Sequence, residues 1–236
     1  MAGTLTEEVF GVIGAAHVQL VPQSFGLLSP DLCGSLTEAY PETRFRLHAN
    51  VRIMRKHVVA DLSGLRIHQH WFEQAASISK LLRAAAYTAH SGRRTEASME
   101  EMLDNARRLA DLFECPVGVE GQYPTQGDHL LVASWAEYRR LFDSGVPYAL
   151  DLSHLNILAH ASGSREMQLV QEMLSCERCI EVHVSDNDGS GDWHQVCEQP
   201  CWWLELMPHV HRDSVIFTEG NHRRRTAKEH RATAHY

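Results

Sequence analysis

The chain has 236 residues, of which 44% are apolar and 22% are charged, and its formal charge is −8 with His neutral. This composition is typical of a folded globular protein and excludes a largely disordered chain. No apolar run approaches the roughly 18 residues of a membrane-spanning helix, and the acidic amino terminus lacks the features of a secretory signal. We therefore expect a soluble, cytoplasmic protein, and the acidic balance disfavours a nucleic-acid partner.

Short β-branched or aromatic runs alternate with longer helical patterns along the chain. Seven runs are predicted strands, at residues 10–18, 44–51, 85–90, 116–120, 147–151, 179–185 and 214–219. The predicted helices cover residues 95–113, 134–144 and 165–176. Strands separated by helices are typical of parallel βαβ units, and seven of them in one chain favour a (β/α) barrel.

The segment between residues 21 and 43 is the least regular part of this pattern. It has room for a short helix and an eighth strand, but no strand can be placed in it. We predict an α/β fold, a (β/α)8 TIM barrel over residues 1–221 that is abbreviated or incomplete after its first strand. Residues 222–236 are rich in Arg and Lys, and we predict a solvated basic tail there.

Each predicted strand carries a group able to bind a metal at or near its carboxyl end. In chain order these groups are His17, His48, His90, Glu120, Asp151, His183 and Glu219. Alternation places Glu120, Asp151 and His183 on the face opposite to the apolar residues of their strands. In a parallel barrel the carboxyl ends of all strands meet at one mouth, where the active site lies.

Two local motifs add candidate ligands to this set. Asp151-Leu-Ser-His154 places an imidazole one turn after a strand-end carboxylate. A Gly-rich loop follows His183 and carries Asp192 and His194, so it could fold back over the mouth. Imidazole and carboxylate ligands without thiolate suit Zn²⁺, Mn²⁺ or Fe²⁺.

These residues resemble the xylose isomerase-like TIM-barrel superfamily, which contains sugar isomerases and epimerases and the endonuclease IV class. The metal quartet of the superfamily is matched by Glu120, Asp151, His183 and Glu219. The segment His183-Val-Ser-Asp-Asn-Asp is similar to a His-Val-Ser-Glu-Asn-Asp stretch of ketose 3-epimerases and hydroxypyruvate isomerases. An Arg that holds the substrate in those epimerases would fall at Gly189.

The endonuclease IV branch of this superfamily binds three metals with nine ligands, and the chain has a candidate for each. By this resemblance His48 and His90 would hold one metal, with Glu120 as a bridge. The second metal would be completed by Asp151, His183 and Glu219, and the third would be held by His154, Asp192 and His194. The implied cofactors are two to three divalent ions per chain, Zn, Mn or Fe.

The expected function is that of a metal-dependent enzyme with a small-molecule substrate, and its reaction type and oligomeric state stay open. A hydrolase with a multinuclear site, acting on a small molecule or a phosphoester, is favoured because nine ligands exceed what one ion uses. A sugar isomerase or epimerase would need one divalent metal, with Glu120 and Glu219 implied as the proton-transfer carboxylates. Multinuclear iron enzymes that oxidise peptides share the barrel, but they usually have Asn at the position of His154.

The six Cys and one His-rich segment have alternative interpretations. Cys176, Cys179, Cys197 and Cys201 have a spacing close to that of a zinc ribbon. Because Cys179 opens a strand that ends in the metal cavity, buried thiols are favoured over a Cys₄ zinc site or a disulfide. The segment His68-Gln-His70 is predicted to be a solvated loop.

Overall fold

A computed structural model describes residues 6–21 and 26–222 of the chain. Strands β1 (Thr6–Glu7) and β2 (Gly11–Val12) form a short antiparallel hairpin. The other strands are parallel: β3 (His17–Leu20), β4 (Arg44–Leu47), β5 (Tyr87–His90), β6 (Val117–Glu120), β7 (Tyr148–Asp151), β8 (Cys179–Val184) and β9 (Val215–Thr218). β3 pairs with β4, and β5 to β9 pair in chain order. The described residues thus contain seven parallel strands.

The two parallel sheets follow each other around a ring. β4 lies beside β5, and β3 lies beside β9. Side chains also meet across the interior, where Arg46 Nη1 of β4 donates to Glu181 Oε1 of β8 at 2.7 Å. No ladder of backbone hydrogen bonds joins β4 to β5 or β9 to β3 within residues 6–21 and 26–222. The arrangement is therefore a curled (β/α) barrel with two seams.

Helices connect the parallel strands, as right-handed βαβ units require. They are α1 (Pro30–Ala39), α2 (Gln69–Leu81), α3 (Met99–Phe113), α4 (Trp135–Asp143), α5 (Leu152–Ser162) and α6 (Met167–Ser175), with 3₁₀ segments at Leu62–Gly64 and Trp202–His209. No helix in the described part of the chain is long and apolar enough to span a membrane.

Helix α3 shows how local chemistry defines these elements. Ser98 caps its first turn, and the side chain of Glu101 accepts from the Ser98 backbone N–H, so the two residues form a capping box. The apolar residues at helical spacing are buried against the barrel, and the ring of Phe113 stacks on Tyr87 of β5 with centroids 4.3 Å apart. This helix was predicted from residue 95, and it begins four residues later because residues 95–98 form the turn and the cap.

Several elements differ from the sequence prediction. The predicted strand at residues 10–18 is divided between β2 and β3, and His17 begins β3. His17 therefore lies at the amino end of the barrel, and its prediction as a residue of the mouth was wrong. Residues 69 and 70 begin α2 and are not a loop. Helix α5, which directly follows β7, was also missed.

The segment between residues 21 and 43, the least regular part of the sequence pattern, contains a helix. Between residues 26 and 43 the structure has α1, capped by Ser29, and no strand. Residues 22–25 and most of the predicted basic tail, residues 223–236, lie outside the described residues. The last described residue, His222, contacts Glu7 of β1 through a 2.9 Å hydrogen bond.

Candidate metal centre

The carboxyl ends of strands β4 to β9 converge on one cluster of imidazoles and carboxylates. The side chains form three groups, and within each group the possible ligand atoms all lie within 4.8 Å of one another. The groups are His48, His90 and Glu120; Glu120, Asp151 and His154; and Asp151, His183 and Glu219. Because Glu120 and Asp151 each belong to two groups, the three groups form one continuous cluster.

His183 lies at the centre of this cluster and is fully buried. Its Nδ1 atom is 3.5 Å from Glu120 Oε1 and 3.4 Å from Glu219 Oε1. On the side of β5, His90 Nε2 is 3.6 Å from the same Glu120 oxygen. His48 contacts His90 edge-on, with ring centroids 5.4 Å apart. Glu120 is thus the carboxylate around which three imidazoles gather.

A second part of the cluster is built on the first turn of α5 and on the Gly-rich loop. Asp151 caps α5 by accepting from Ser153 N and His154 N, which brings the ring of His154 back over the mouth. His154 Nε2 is 3.4 Å from Asp151 Oδ2 and 3.5 Å from Asp192 Oδ2. Asp192 Oδ2 is in turn 3.1 Å from His194 Nε2. Asp192 therefore links the two imidazoles that were predicted with it.

The Gly-rich loop is held on the barrel by specific contacts. Asp186 and Gln195 pair in an isolated antiparallel bridge that closes the loop. The Asn187 amide donates to Ser153 O at 2.9 Å and to Ser153 Oγ at 2.6 Å, which fastens the loop to α5. His194 has a left-handed backbone with φ 47°, and its Nδ1 is 3.6 Å from Glu219 Oε2. The loop thus returns over the mouth, as its sequence predicted.

Two of the imidazoles, His154 and His183, have a hydrogen-bonded acceptor on the side away from the cluster, and a third, His90, has a carboxylate nearby. His154 Nδ1 donates to the carbonyl oxygen of Gly121 at 2.8 Å. Glu181 Oε2 lies 3.2 Å from His183 Nε2, and Asp61 Oδ1 lies 3.4 Å from His90 Nδ1. Such acceptors orient metal-binding His in proteins and select their tautomer.

Sequence reasoning missed Asp61 and Glu181. Glu181 is two positions before His183 on β8, so the period-2 alternation of a strand already placed both side chains on one face. Asp61 had no comparable local signal, because it lies in the connection after β4 and reaches His90 only through the tertiary fold.

Burial and the nearby charges shift the pKa values of these groups. Burial lowers the pKa of His48 to about 4. Burial also opposes protonation of His90 and His154, but the nearby carboxylates raise their pKa values to about 9 and about 10. Burial raises the pKa of Glu219 to about 7. Metal binding near pH 7 would therefore displace protons from His90 and His154, whereas His48 is already neutral.

The cluster contains buried polar atoms that no protein group satisfies. Glu120 Oε2, Asp151 Oδ2, His183 Nδ1 and His194 Nδ1 are buried and have no hydrogen-bond partner. Unpartnered buried polar atoms are rare because leaving water without compensation is costly. These atoms belong to the same cluster, and bound divalent cations would compensate for the missing hydrogen bonds. The residues present therefore fit a metal.

The contact of Asp61 with His90 leads to a prediction for metal affinity. Asp61→Asn keeps the shape of the side chain but removes the negative charge that lies 3.4 Å from His90 Nδ1. We expect the affinity for Zn²⁺ to fall about tenfold, at the lower end of the cost of an outer-shell change. Competition with a chromogenic chelator measures it, with Asp104→Asn on the exposed face of α3 as the charge-matched control. Equal affinity of Asp61→Asn and the parent would exclude this role.

Comparison with known proteins gives no match in sequence and a clear match in fold. No protein-family model matches the chain, and no curated protein matches it. A D-tagatose 3-epimerase-like protein superposes with a TM-score of 0.65 at 17% identity, over 91% of this chain and 86% of its own. Endonuclease IV from Thermus thermophilus superposes with a TM-score of 0.57 at 16% identity, over 84% of this chain and 80% of its own. A xylose isomerase domain protein from Planctomyces limnophilus superposes with a TM-score of 0.55 at 8% identity, over 89% of this chain and 88% of its own.

The chain has the xylose isomerase-like TIM-barrel fold. The resemblance predicted from the sequence is thereby confirmed at the level of the fold. In this xylose isomerase-like barrel, all nine predicted metal ligands lie at or beside the mouth, on β4 to β9, α5 and the Gly-rich loop.

Two other sequence features have a definite outcome in the xylose isomerase-like barrel. Gly189 has φ +81°, and a Cβ there would lie 2.6 Å from His160 Cγ, so the position has no space for the Arg of the epimerases. All six Cys are free thiols. No group of three Cys, or of Cys with His and carboxylates, approaches metal-binding distance within the described residues. The structure therefore favours thiols over the zinc ribbon.

Proposed function

We propose that this chain is a metal-dependent hydrolase that cleaves a small ester or phosphoester at the mouth of the barrel. The proposal rests on one observation, the convergence of more ligands than a single ion can use into three groups that share Glu120 and Asp151. It includes two to three divalent ions, Zn, Mn or Fe.

The first two ions of this proposal follow spatial groups of ligands, whereas the third would rest on the pairwise contacts of Asp192, because His154 is grouped with Glu120 and Asp151. His48 and His90 would hold one ion with Glu120 as the bridge, and Asp151, His183 and Glu219 would hold the second. A third ion would lie between the remaining ligands, His154, Asp192 and His194, at the rim. Clustered divalent ions supply Lewis acidity, which activates water near neutral pH and stabilises charge on the ester or phosphoryl oxygen.

Accessibility indicates where a substrate would enter. The side chains of Glu120 and His183 are at most 2% exposed, whereas Asp192 is 15% and His194 is 44% exposed. The centre is thus dry at the bottom of the mouth and open to water at the Gly-rich loop. The ring of Tyr123 lies beside His154, with centroids 4.8 Å apart, and forms part of the wall. A substrate would therefore reach the centre from the rim at Asp192 and His194, and the net charge of −8 disfavours DNA.

A sugar isomerase or epimerase is the second candidate, and one observation favours it. Glu120 and Glu219 flank the same atom, His183 Nδ1, at 3.5 and 3.4 Å, which is the arrangement of two carboxylates around one metal position. Such a pair could remove and return a proton on opposite faces of a bound sugar. The lack of space for an Arg at Gly189 argues against the substrate contacts of the ketose 3-epimerases.

Metal stoichiometry is the first test of the proposed function. We expect more than one transition-metal ion per chain, because the three groups hold more ligands than one ion coordinates. Elemental analysis of protein purified without added metal, and again after reconstitution with Zn²⁺, Mn²⁺ or Fe²⁺, measures it. At most one ion per chain under all conditions would refute the multinuclear hydrolase and favour the isomerase.

The reaction itself is tested on the reconstituted protein. Chromogenic phosphomonoesters, phosphodiesters and carboxylic esters report hydrolysis, and exchange of sugar protons with deuterated water reports isomerisation. The hydrolase proposal expects ester cleavage that a chelator abolishes and that added metal restores. Proton exchange without ester cleavage would identify an isomerase, and oxygen consumption with a peptide by the Fe²⁺ form would identify an oxidative enzyme.

A further inference from the structure

Glu181 is a fully buried carboxylate that takes no direct part in the proposed metal centre. Its two oxygens accept from four side chains of four different strands. Oε1 accepts from Arg46 Nη1 at 2.7 Å. Oε2 accepts from Thr88 Oγ1 at 2.7 Å and Gln19 Nε2 at 3.1 Å, and it contacts His183 Nε2 at 3.2 Å. The barrel interior beneath the metal centre is therefore a connected polar network around one carboxylate.

Hydrogen bonds from several strands hold the carboxylate of Glu181 in place. Arg46 reaches Glu181 from β4, across the interior, and its guanidinium is permanently charged. Thr88 on β5 and Gln19 on β3 reach it from the other sides. A carboxylate held by charge-assisted and neutral hydrogen bonds from several strands is rigid, because moving it would break several buried bonds at once.

The rigid carboxylate determines how His183 presents its ring. An ionised carboxylate accepts hydrogen bonds and donates none. The Glu181 oxygen is nearer to His183 Nε2, at 3.2 Å, than the Gln19 amide nitrogen, at 3.5 Å, so Nε2 carries the proton. The other nitrogen, Nδ1, is left toward Glu120 and Glu219 and has no hydrogen-bond partner. A neutral imidazole of this tautomer has its lone pair on Nδ1, at the position where a metal would be bound.

We propose that Glu181, held by Arg46 across the barrel, is the positioning residue that makes His183 bind metal through Nδ1. The inference rests on the metal centre of the proposed function, but it applies to hydrolase and isomerase alike, because both include His183. By this proposal the polar residues inside the barrel have a role in the site, because they hold the carboxylate that determines the tautomer of His183.

Glu181→Gln tests this role with little change in volume. Arg46 prefers the amide oxygen as its partner, so the amide nitrogen faces His183 and forces the proton of the ring from Nε2 to Nδ1. We expect the affinity for Zn²⁺, measured by chelator competition, to fall about 10- to 100-fold. In ¹⁵N-His spectra of the Zn²⁺-loaded parent, the metal should be on Nδ1 and the proton on Nε2 of His183.

Thr88→Val is the matched control, because it removes another hydrogen bond to the same Oε2 and leaves the His183 contact in place. We expect its Zn²⁺ affinity to stay within about threefold of the parent. This is less than the loss of about 10- to 100-fold that follows when a group orienting a ligand is removed, because Thr88 does not orient His183. Equal losses in Thr88→Val and Glu181→Gln would show a general effect of core disruption and overturn the inference. An unchanged affinity in Glu181→Gln would overturn it as well.

The ¹⁵N-His spectrum of the Zn²⁺-loaded parent requires no substitution. It can therefore refute the inference even if Glu181→Gln does not fold. Zinc on Nε2 of His183 would refute the inference while leaving a metal-dependent function intact. A parent that binds no metal under any condition would refute the proposed function and this inference together. Zinc on Nδ1 with an unchanged affinity in Thr88→Val supports the role of Glu181.

Discussion

Replacing Glu120 with Gln is expected to remove metal from the centre and to abolish activity while the fold is retained. Glu120 is shared by two of the three ligand groups, and its Oε1 atom lies 3.5 Å from His183 Nδ1. Burial opposes its charge, but His90 and His183 hold the pKa of Glu120 well below its usual range, which favours the anion. Gln keeps the volume and loses the charge that would bridge two cations.

The expected size of this effect exceeds that of the outer-shell changes. Loss of an orienting partner costs about 10- to 100-fold in metal affinity, so loss of a bridging ligand should cost at least about 100-fold. Metal content after dialysis and the far-UV circular dichroism spectrum measure the binding and the fold. Glu172→Gln removes the same charge from the surface of α6 and should leave both unchanged. Normal metal content and turnover in Glu120→Gln would show that this strand end is not a ligand.

The double substitution Asp192→Ala and His194→Ala is expected to remove about one metal ion per chain and to abolish hydrolysis. Asp192 Oδ2 joins His154 Nε2 and His194 Nε2, at 3.5 and 3.1 Å, and these three side chains make up the proposed third position. In a mononuclear isomerase the same change would leave the metal of the quartet in place and weaken substrate binding.

A control in the same loop separates the loss of ligands from a loosened loop. Asp188 Oδ1 accepts from Ser190 N at 2.9 Å and from Trp193 Nε1 at 3.0 Å, so Asp188→Ala removes bonds that shape the loop and keeps both ligands. We expect this control to retain the metal stoichiometry of the parent, measured by elemental analysis of protein with an unchanged far-UV spectrum. Unchanged stoichiometry in the double variant would refute the third position and, with it, the hydrolase proposal.

The sequence pattern was most informative at the strand ends. Glu120, Asp151 and His183 alternate with apolar residues, and the carboxyl ends of parallel strands meet at one mouth, so their convergence follows from local pattern and fold class alone. His154 was predictable because a residue three positions after a helix cap turns back over that cap. The Gly-rich loop was predictable because Asp192 and His194 follow a strand-end ligand closely.

Local patterns failed where an element lacked its usual signals. Helix α2 begins without a side-chain cap at His68, so its first turn resembled a loop. Helix α5 is capped by Asp151, the last residue of β7, so no turn separates the two elements in the sequence. His17 was misplaced because the β-branched run before it includes a separate strand, β2.

The sequence by itself determined the fold class and the end of the barrel at which imidazoles and carboxylates gather, because these depend on strand alternation and residue type. Only the tertiary structure decided that Glu120 is shared between groups, that Asp61 lies behind His90, and that Glu181 is held by Arg46. These contacts join residues 29 to 135 positions apart in the chain. They depend on the curvature of the barrel and on the register of strands that do not pair with each other, and neither is encoded in a local pattern.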